Sequence, residues 1–191
     1  MHILCFGDSN TYGFDPRSYC GGRYPAEHRW VDILMHRTGW KIENAGENGR
    51  EIPRRAYDLQ ALATILSGSE APDGLVVMLG TNDLLQGADA AETAARVETF
   101  LTYLPYPRER ILLIAPPPVK PGTWVTEERI LDASSQLAGQ YQRLAQKMNI
   151  SFADAGCWNV ALTFDGVHFS EAGHHSFAEG LAVRLREWVS L

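Results

Sequence analysis

Five short runs rich in aliphatic and β-branched residues, at roughly 2–6, 40–45, 74–79, 110–115 and 150–154, alternate with longer amphipathic segments. That alternation is the signature of a parallel sheet covered by helices on both faces. The helical segments fall at about 26–38, 52–67, 88–104, 127–147 and 171–189. In the last of them Phe177, Leu181, Val183, Leu185 and Trp188 recur at helical spacing, and Ser170 stands where an N-cap belongs. Pro116, Pro117, Pro118 and Pro121 follow the fourth run and can continue neither strand nor helix, which predicts a stiff loop at the carboxyl edge of the sheet. Trp124, just beyond, reads first as a packing aromatic and second as a pocket wall. No repeat, low-complexity tract or Gly/Ser linker divides the chain, so a single domain over 1–191 is expected.

Composition narrows the function classes. With 45% hydrophobic and 21% charged residues over 191 positions, the chain is ordinary globular material. Its formal charge of −6, with the 17 Lys and Arg dispersed, offers no electrostatic footprint for nucleic acid or an anionic membrane. Cys5, Cys20 and Cys157 are an odd, sparse set without CxxC spacing and read as thiols, neither a disulfide framework nor a zinc site. The opening run Ile3 to Phe6 is too short for a signal-peptide core, and no stretch approaches a membrane span. A cytoplasmic location is the resulting expectation.

Candidate chemistry sits where the strands end. Gly7-Asp8-Ser9-Asn10 follows the first strand, the edge at which an open α/β sheet presents residues to ligands. A serine hydroxyl is a weak nucleophile until a base removes its proton, so Ser9 needs a histidine and a group to orient it; a helix-capping Asp-Ser pair would look the same. Asp165-Gly166-Val167-His168 supplies such a pair in a tight turn, although a solvated surface turn has the same composition. Acyl transfer also needs donors for the charge that develops on the carbonyl oxygen. Asn44-Ala45-Gly46-Glu47-Asn48-Gly49 follows strand two and Gly80-Thr81-Asn82-Asp83 follows strand three. A glycine N–H and the Asn82 carboxamide are the candidate donors there, beside plain turn and capping roles.

Taken jointly, these four segments resemble the blocks of the GDSL/SGNH hydrolases from the first residues to the last helix. The resemblance implies a three-layer α/β fold of flavodoxin-like type, with a five-stranded parallel sheet in the order 2-1-3-4-5. It implies Ser9 as nucleophile, Asp165 and His168 as the rest of a triad, and an oxyanion hole made by the Ser9 N–H, Gly49 and Asn82. Gly46 competes with Gly49, which is preferred as the second glycine of the Asn-Ala-Gly-x-x-Gly segment. Asn10 stands where many members carry leucine or isoleucine, which leaves the nucleophile untouched and changes the polarity beside it. The run from Phe6 to Pro16, followed by Arg29-Trp30, is most similar to the arylesterase and acyltransferase branch. In that strand order the loops bearing Gly49, Ser9 and Asn82 leave adjacent strands. His168 must cross about 14 Å, three strand spacings, which the chain between Cys157 and Ser170 can span.

The expected activity is cleavage of small acyl or aryl carboxylic esters through an acyl-enzyme, with acyl transfer to an alcohol as an extension. No cofactor and no metal is required. An α/β-hydrolase elbow is disfavoured because Thr11 occupies the last position of Gly-x-Ser-x-Gly. A flavodoxin-like mononucleotide-binding module shares the sheet, but no Gly-x-Gly-x-x-Gly or Gly-x-x-x-x-Gly-Lys-Ser/Thr run accompanies it. A zinc site from His168, His174 and His175 meets the objection that adjacent helical residues face apart, so His174 and His175 read as surface histidines. The expected partner is a small-molecule ester; a homo-oligomer is compatible with the sequence, which does not specify one.

Overall fold

The computed structural model describes residues 1–18 and 21–189, so Cys20 lies outside the described residues. Five strands form one parallel sheet in the order β2-β1-β3-β4-β5: β1 His2–Gly7, β2 Lys41–Gly46, β3 Gly74–Met78, β4 Ile111–Ala115 and β5 Ser151–Asp154. Because side chains alternate along a strand, β1 sends Leu4 and Phe6 into one core and Ile3 and Cys5 into the other. Leu75 and Val77 against Val76 and Met78 repeat the division in β3, and Leu113 against Leu112 and Ile114 in β4.

The helices are α1 Ser9–Tyr12, α2 Trp30–Thr38, α3 Ala56–Ser67, α4 Thr81–Leu85, α5 Ala90–Tyr103, α6 Glu128–Met148 and α7 Glu171–Val189. On the Leu4 face, α3, α5 and α6 contribute Leu62, Val97, Phe100, Leu137 and Tyr141. On the Ile3 face, α2 and α7 contribute Trp30, Leu34, Phe177, Leu181 and Leu185. Three layers result, as expected. Ser170 caps α7, its Oγ accepting the Gly173 N–H at 3.1 Å. Val183 departs from the expected apolar face and is half exposed. Two residues from both Leu181 and Leu185, it projects roughly 200° away from each on a 3.6-residue helix.

Helix starts differ where local chemistry intervenes. The segment from 26 opens as a single 3₁₀ turn, Ala26–His28, and Arg29 takes an extended conformation before α2 begins. The segment from 52 becomes helical only at Ala56, because Pro53 biases Ile52 away from helix. Ile52 is buried, with its N–H donated to Asp83 at 2.9 Å. Helices α1 and α4 are single turns at the carboxyl edge that no hydrophobic periodicity announces. A third, small cluster of Val119, Val125, Ile130 and Val167 lies beneath the loops at that edge. Among the described residues no helix is long and apolar enough to cross a membrane. Cys5 is buried in the sheet and Cys157 is exposed, both as free thiols.

Candidate active site

Strand β1 ends at Gly7, and the chain turns at once into α1. Only glycine fits there, since a Cβ would fall on the Thr11 hydroxyl and close against the Met78 carbonyl. Asp8 is the N-cap, its Oδ1 accepting the Asn10 N–H at 2.9 Å. The capping alternative and the nucleophile reading therefore describe neighbouring residues: Asp8 caps, and Ser9 occupies the first helical position. Burial pushes the Asp8 carboxyl up to about 6, partly opposed by the Asn10 N–H and by the nearby His168 and Arg50.

Ser9 Oγ lies 3.0 Å from His168 Nε2, and His168 Nδ1 lies 2.7 Å from Asp165 Oδ2, with all three residues buried. Asp165 Oδ1 accepts the N–H groups of Val167 and His168, each at 2.9 Å, and the Thr163 hydroxyl at 2.8 Å. Burial alone would raise this carboxyl; the hydrogen bonds from His168, Val167 and Thr163 outweigh it and hold Asp165 well below the usual carboxylate range. An ionised carboxylate only accepts, so the proton sits on Nδ1 and Nε2 is left to accept from Ser9.

The proline-rich loop supports this turn. Lys120 N–H donates to Gly166 O at 2.9 Å and Trp124 N–H to Asp165 O at 3.1 Å. The approach is so close that a Cβ at Gly122 would fall on the Asp165 and Gly166 backbone, and one at Gly166 on the Lys120 carbonyl. Gly166 also has φ +82°, which other residues rarely adopt. Trp124 is a wall and not a packed core residue: 54% exposed, it stands edge-on to the His168 ring at 4.9 Å, with Phe14 against that ring at 4.7 Å. The sequence pattern misses this because the indole covers a buried ring from its solvent side.

On the far side of Ser9 are the glycine and asparagine loops. Gly46 closes β2, and its N–H is taken by Asn44 Oδ1 at 2.9 Å. A Cβ there would fall on the Tyr12 backbone nitrogen, so Gly46 allows α1 to pack on β2. Gly49, in contrast, is exposed at φ +73° with open space around its Cα, and among the described residues no acceptor takes its N–H. Asn82 Nδ2 donates to Arg50 O at 3.0 Å, which leaves one amide hydrogen for another oxygen.

Arg50, which the sequence does not single out, ties its own loop to β1. Its guanidinium donates to Gly7 O at 2.7 Å, to Ala45 O, and to Glu47 Oε2 at 2.7 Å, and it stacks over Phe6 at 4.2 Å. Asp83, fully buried, accepts from Ile52 N at 2.9 Å and from Arg96 Nη1 at 2.8 Å, joining the same loop to α4 and α5. The only sequence signal for either was adjacency to Gly49 and Asn82.

His174 is not on the surface. It is fully buried between the rings of Tyr24 and Phe169, and among the described residues neither ring nitrogen has a hydrogen-bond partner. Burial, reinforced by the neighbouring His175 and His168, lowers its pKa to about 3, so the ring is neutral. His175 is half-buried against His28. Among the described residues, no group of three or more His, Cys, Asp or Glu side chains is placed to hold a metal ion.

Comparison with known proteins bears on this arrangement. The model of the GDSL-like lipase/acylhydrolase family matches residues 5–175. Similar solved structures include a protein of Agrobacterium tumefaciens str. C58 assigned as an arylesterase, 31% identical with a TM-score of 0.83 over 98% of this chain and 99% of that one. The aryl esterase of M. smegmatis is 27% identical with a TM-score of 0.82 over 98% and 99%. A carbohydrate acetylesterase from Sinorhizobium meliloti is 28% identical with a TM-score of 0.79 over 97% and 98%. No curated protein matches the chain.

Proposed function

Since this chain belongs to the GDSL-like lipase/acylhydrolase family and is a carboxylic ester hydrolase, we propose that Ser9 is its nucleophile, His168 its base and Asp165 the group that orients the base. The reading rests above all on the unbroken line from Ser9 Oγ to His168 Nε2 at 3.0 Å and from Nδ1 to Asp165 at 2.7 Å. His168 accepts the hydroxyl proton as Oγ attacks the ester carbonyl, and Asp165 stabilises the imidazolium that forms. The carbonyl oxygen, now negative, is held by the N–H groups of Ser9 and Gly49 and by the free amide hydrogen of Asn82. Collapse expels the alcohol, which takes its proton from Nε2 and leaves an acyl group on Ser9. Water then repeats the sequence to release the acid, or a second alcohol repeats it to form a new ester.

Gly49 is the donor rather than Gly46, because the Gly46 N–H is already taken. Membership of an ester-hydrolase family sets aside the mononucleotide-binding module that the sheet order alone would allow. The aromatic walls at Phe14 and Trp124 favour small acyl or aryl esters as substrates, handled within one domain.

Ser9→Ala is the test. Hydrolysis of p-nitrophenyl acetate is expected to fall by about 10⁶-fold, with loss of the mass increment that a fluorophosphonate leaves on the wild-type chain. A variant that still acquires the increment would refute Ser9 as the nucleophile. A series of model esters of increasing acyl length, with and without a competing alcohol, separates chain-length limits from transfer.

A further inference from the structure

Asn10 makes an unusual pair of contacts across the fold. Its Oδ1 accepts the Phe169 N–H at 2.8 Å, and its Nδ2 donates to the Val167 carbonyl at 3.1 Å. Those groups belong to the two peptide units on either side of His168, so one carboxamide grips the backbone of that residue from both ends. Asn10 is itself buried and fixed, its own carbonyl accepting the Trp30 indole N–H at 2.9 Å. Being the residue after Ser9, it joins the nucleophile's helix to a histidine 159 positions from Ser9.

The surrounding bonds show what Asn10 adds. Asp165 takes the N–H groups of Val167 and His168 and one ring nitrogen, and Thr163 N–H donates to the His168 carbonyl at 2.8 Å. All of these lie within the 163–168 turn and would hold its shape even if the turn moved as a body. The Asn10 carboxamide ties it directly to α1. We infer that Asn10 is a positioning residue that sets the Ser9 to His168 distance by clamping the peptide groups flanking the imidazole. This inference rests on the proposed roles of Ser9 and His168.

Asn10→Leu removes both polar atoms while keeping the branching and the number of heavy atoms, and Asn10→Asp replaces the amide donor by an oxygen. A displacement of the base by a fraction of an ångström to one ångström corresponds to roughly a 10- to 100-fold loss in kcat. For N10L that loss is expected with KM within about twofold of wild type, and the fluorophosphonate labelling rate should fall in parallel. A purely structural role would lower Tm and leave kcat per folded molecule unchanged. N10D carries a second signature. Its ionised carboxylate still accepts from Phe169 N–H but opposes the Val167 carbonyl, whereas the protonated acid can donate to it. Asp8, His168 and, beyond it, Asp165 are the titratable groups near the position, and the ratio to wild type removes the part of their titration that the two proteins share. The N10D to wild-type kcat ratio should therefore rise as pH falls from 9 to 6.

Folded N10L with wild-type kcat and labelling rate would overturn the inference. Should N10L fail to fold, an N10D ratio that is flat with pH would overturn it, and one that rises toward acid would support it. Ser9→Ala, run alongside, separates the two levels. Labelling that survives in Ser9→Ala removes the nucleophile and this inference together, whereas labelling lost there but unaffected in N10L removes this inference alone.

Discussion

On the imidazole side of the site Asp165 and His168 are buried and the carboxylate accepts four hydrogen bonds, whereas on the side of the proposed donors Gly49 is exposed, its N–H unclaimed among the described residues, and Asn82 is half-buried. The contrast fits the roles proposed for each side. A base is useful only if its tautomer and direction are fixed before substrate arrives, so its neighbours take up every alternative partner. A donor is useful only if its hydrogen is left over, so that side must remain open and unsatisfied until an oxygen enters it. The same edge of the sheet is thus tightly bonded on one flank and under-bonded on the other.

Four changes would break or sharpen that contrast. Asp165→Asn strikes the bonded flank, because a carboxamide can donate to Nδ1 and hold the wrong tautomer; kcat on p-nitrophenyl acetate is expected to fall about 10⁴-fold. A loss below tenfold would show that the orientation of His168 does not depend on the carboxylate. Asn82→Ala strikes the open flank and should cost about 10²–10³ in kcat with the fold retained; unchanged turnover would remove Asn82 from the oxyanion site. Gly49→Ala meets no steric obstacle but must hold φ near +73°, an energy of about 1–2 kcal/mol per residue, so roughly a tenfold loss in kcat is expected as the loop relaxes. Gly46→Ala, measured beside it, should instead lower Tm through its collision with Tyr12, and an equal loss of kcat in both would undo the assignment of Gly49.

A fifth effect concerns stability and not turnover. Asp8, raised to about 6 from an ordinary 3.8, is disfavoured in its ionised form by the folded state, so its cost is fully present above pH 6 and disappears below about pH 4. Asp8→Asn keeps the cap and removes that cost. At pH 8 it should raise stability by at most about 3 kcal/mol, or Tm by at most about 6–12 °C, and at pH 4 it should change neither. An equal shift at both pH values, followed by thermal melts, would mean that the carboxyl is not strained by burial.

Much of this architecture was legible in the chain. Strands β1, β3 and β4 stood out because they are apolar on both faces, β2 and β5 less so because Lys41, Glu43 and Asp154 interrupt them, and Ser9, Asp165 and His168 stood out because their residue types are chemically demanding. What stayed hidden depends on packing between distant segments. Helices α1 and α4 are too short to have a period, and they exist because Gly7 admits a tight turn and Asp83 collects Ile52 N–H and the Arg96 guanidinium. His174 looked like a surface residue because polarity and its neighbour His175 suggested one, whereas the rings of Tyr24 and Phe169 enclose it. Asn10 was noticed only as a change of polarity; its two partners lie far away in sequence.

The backbone contact between the 120–122 loop and the Asp165 turn also tells a protein engineer where variation is tolerated. Gly122 and Gly166 are pressed together too closely to accept any side chain, so diversification there would dismantle the scaffold before altering selectivity. Trp124 and Phe164 project into solvent from the same two segments, at 54% and 62% exposure, and can be randomised with the framework beneath them left intact. Of the two, Trp124 stands against the His168 ring, so variation there reaches the site itself.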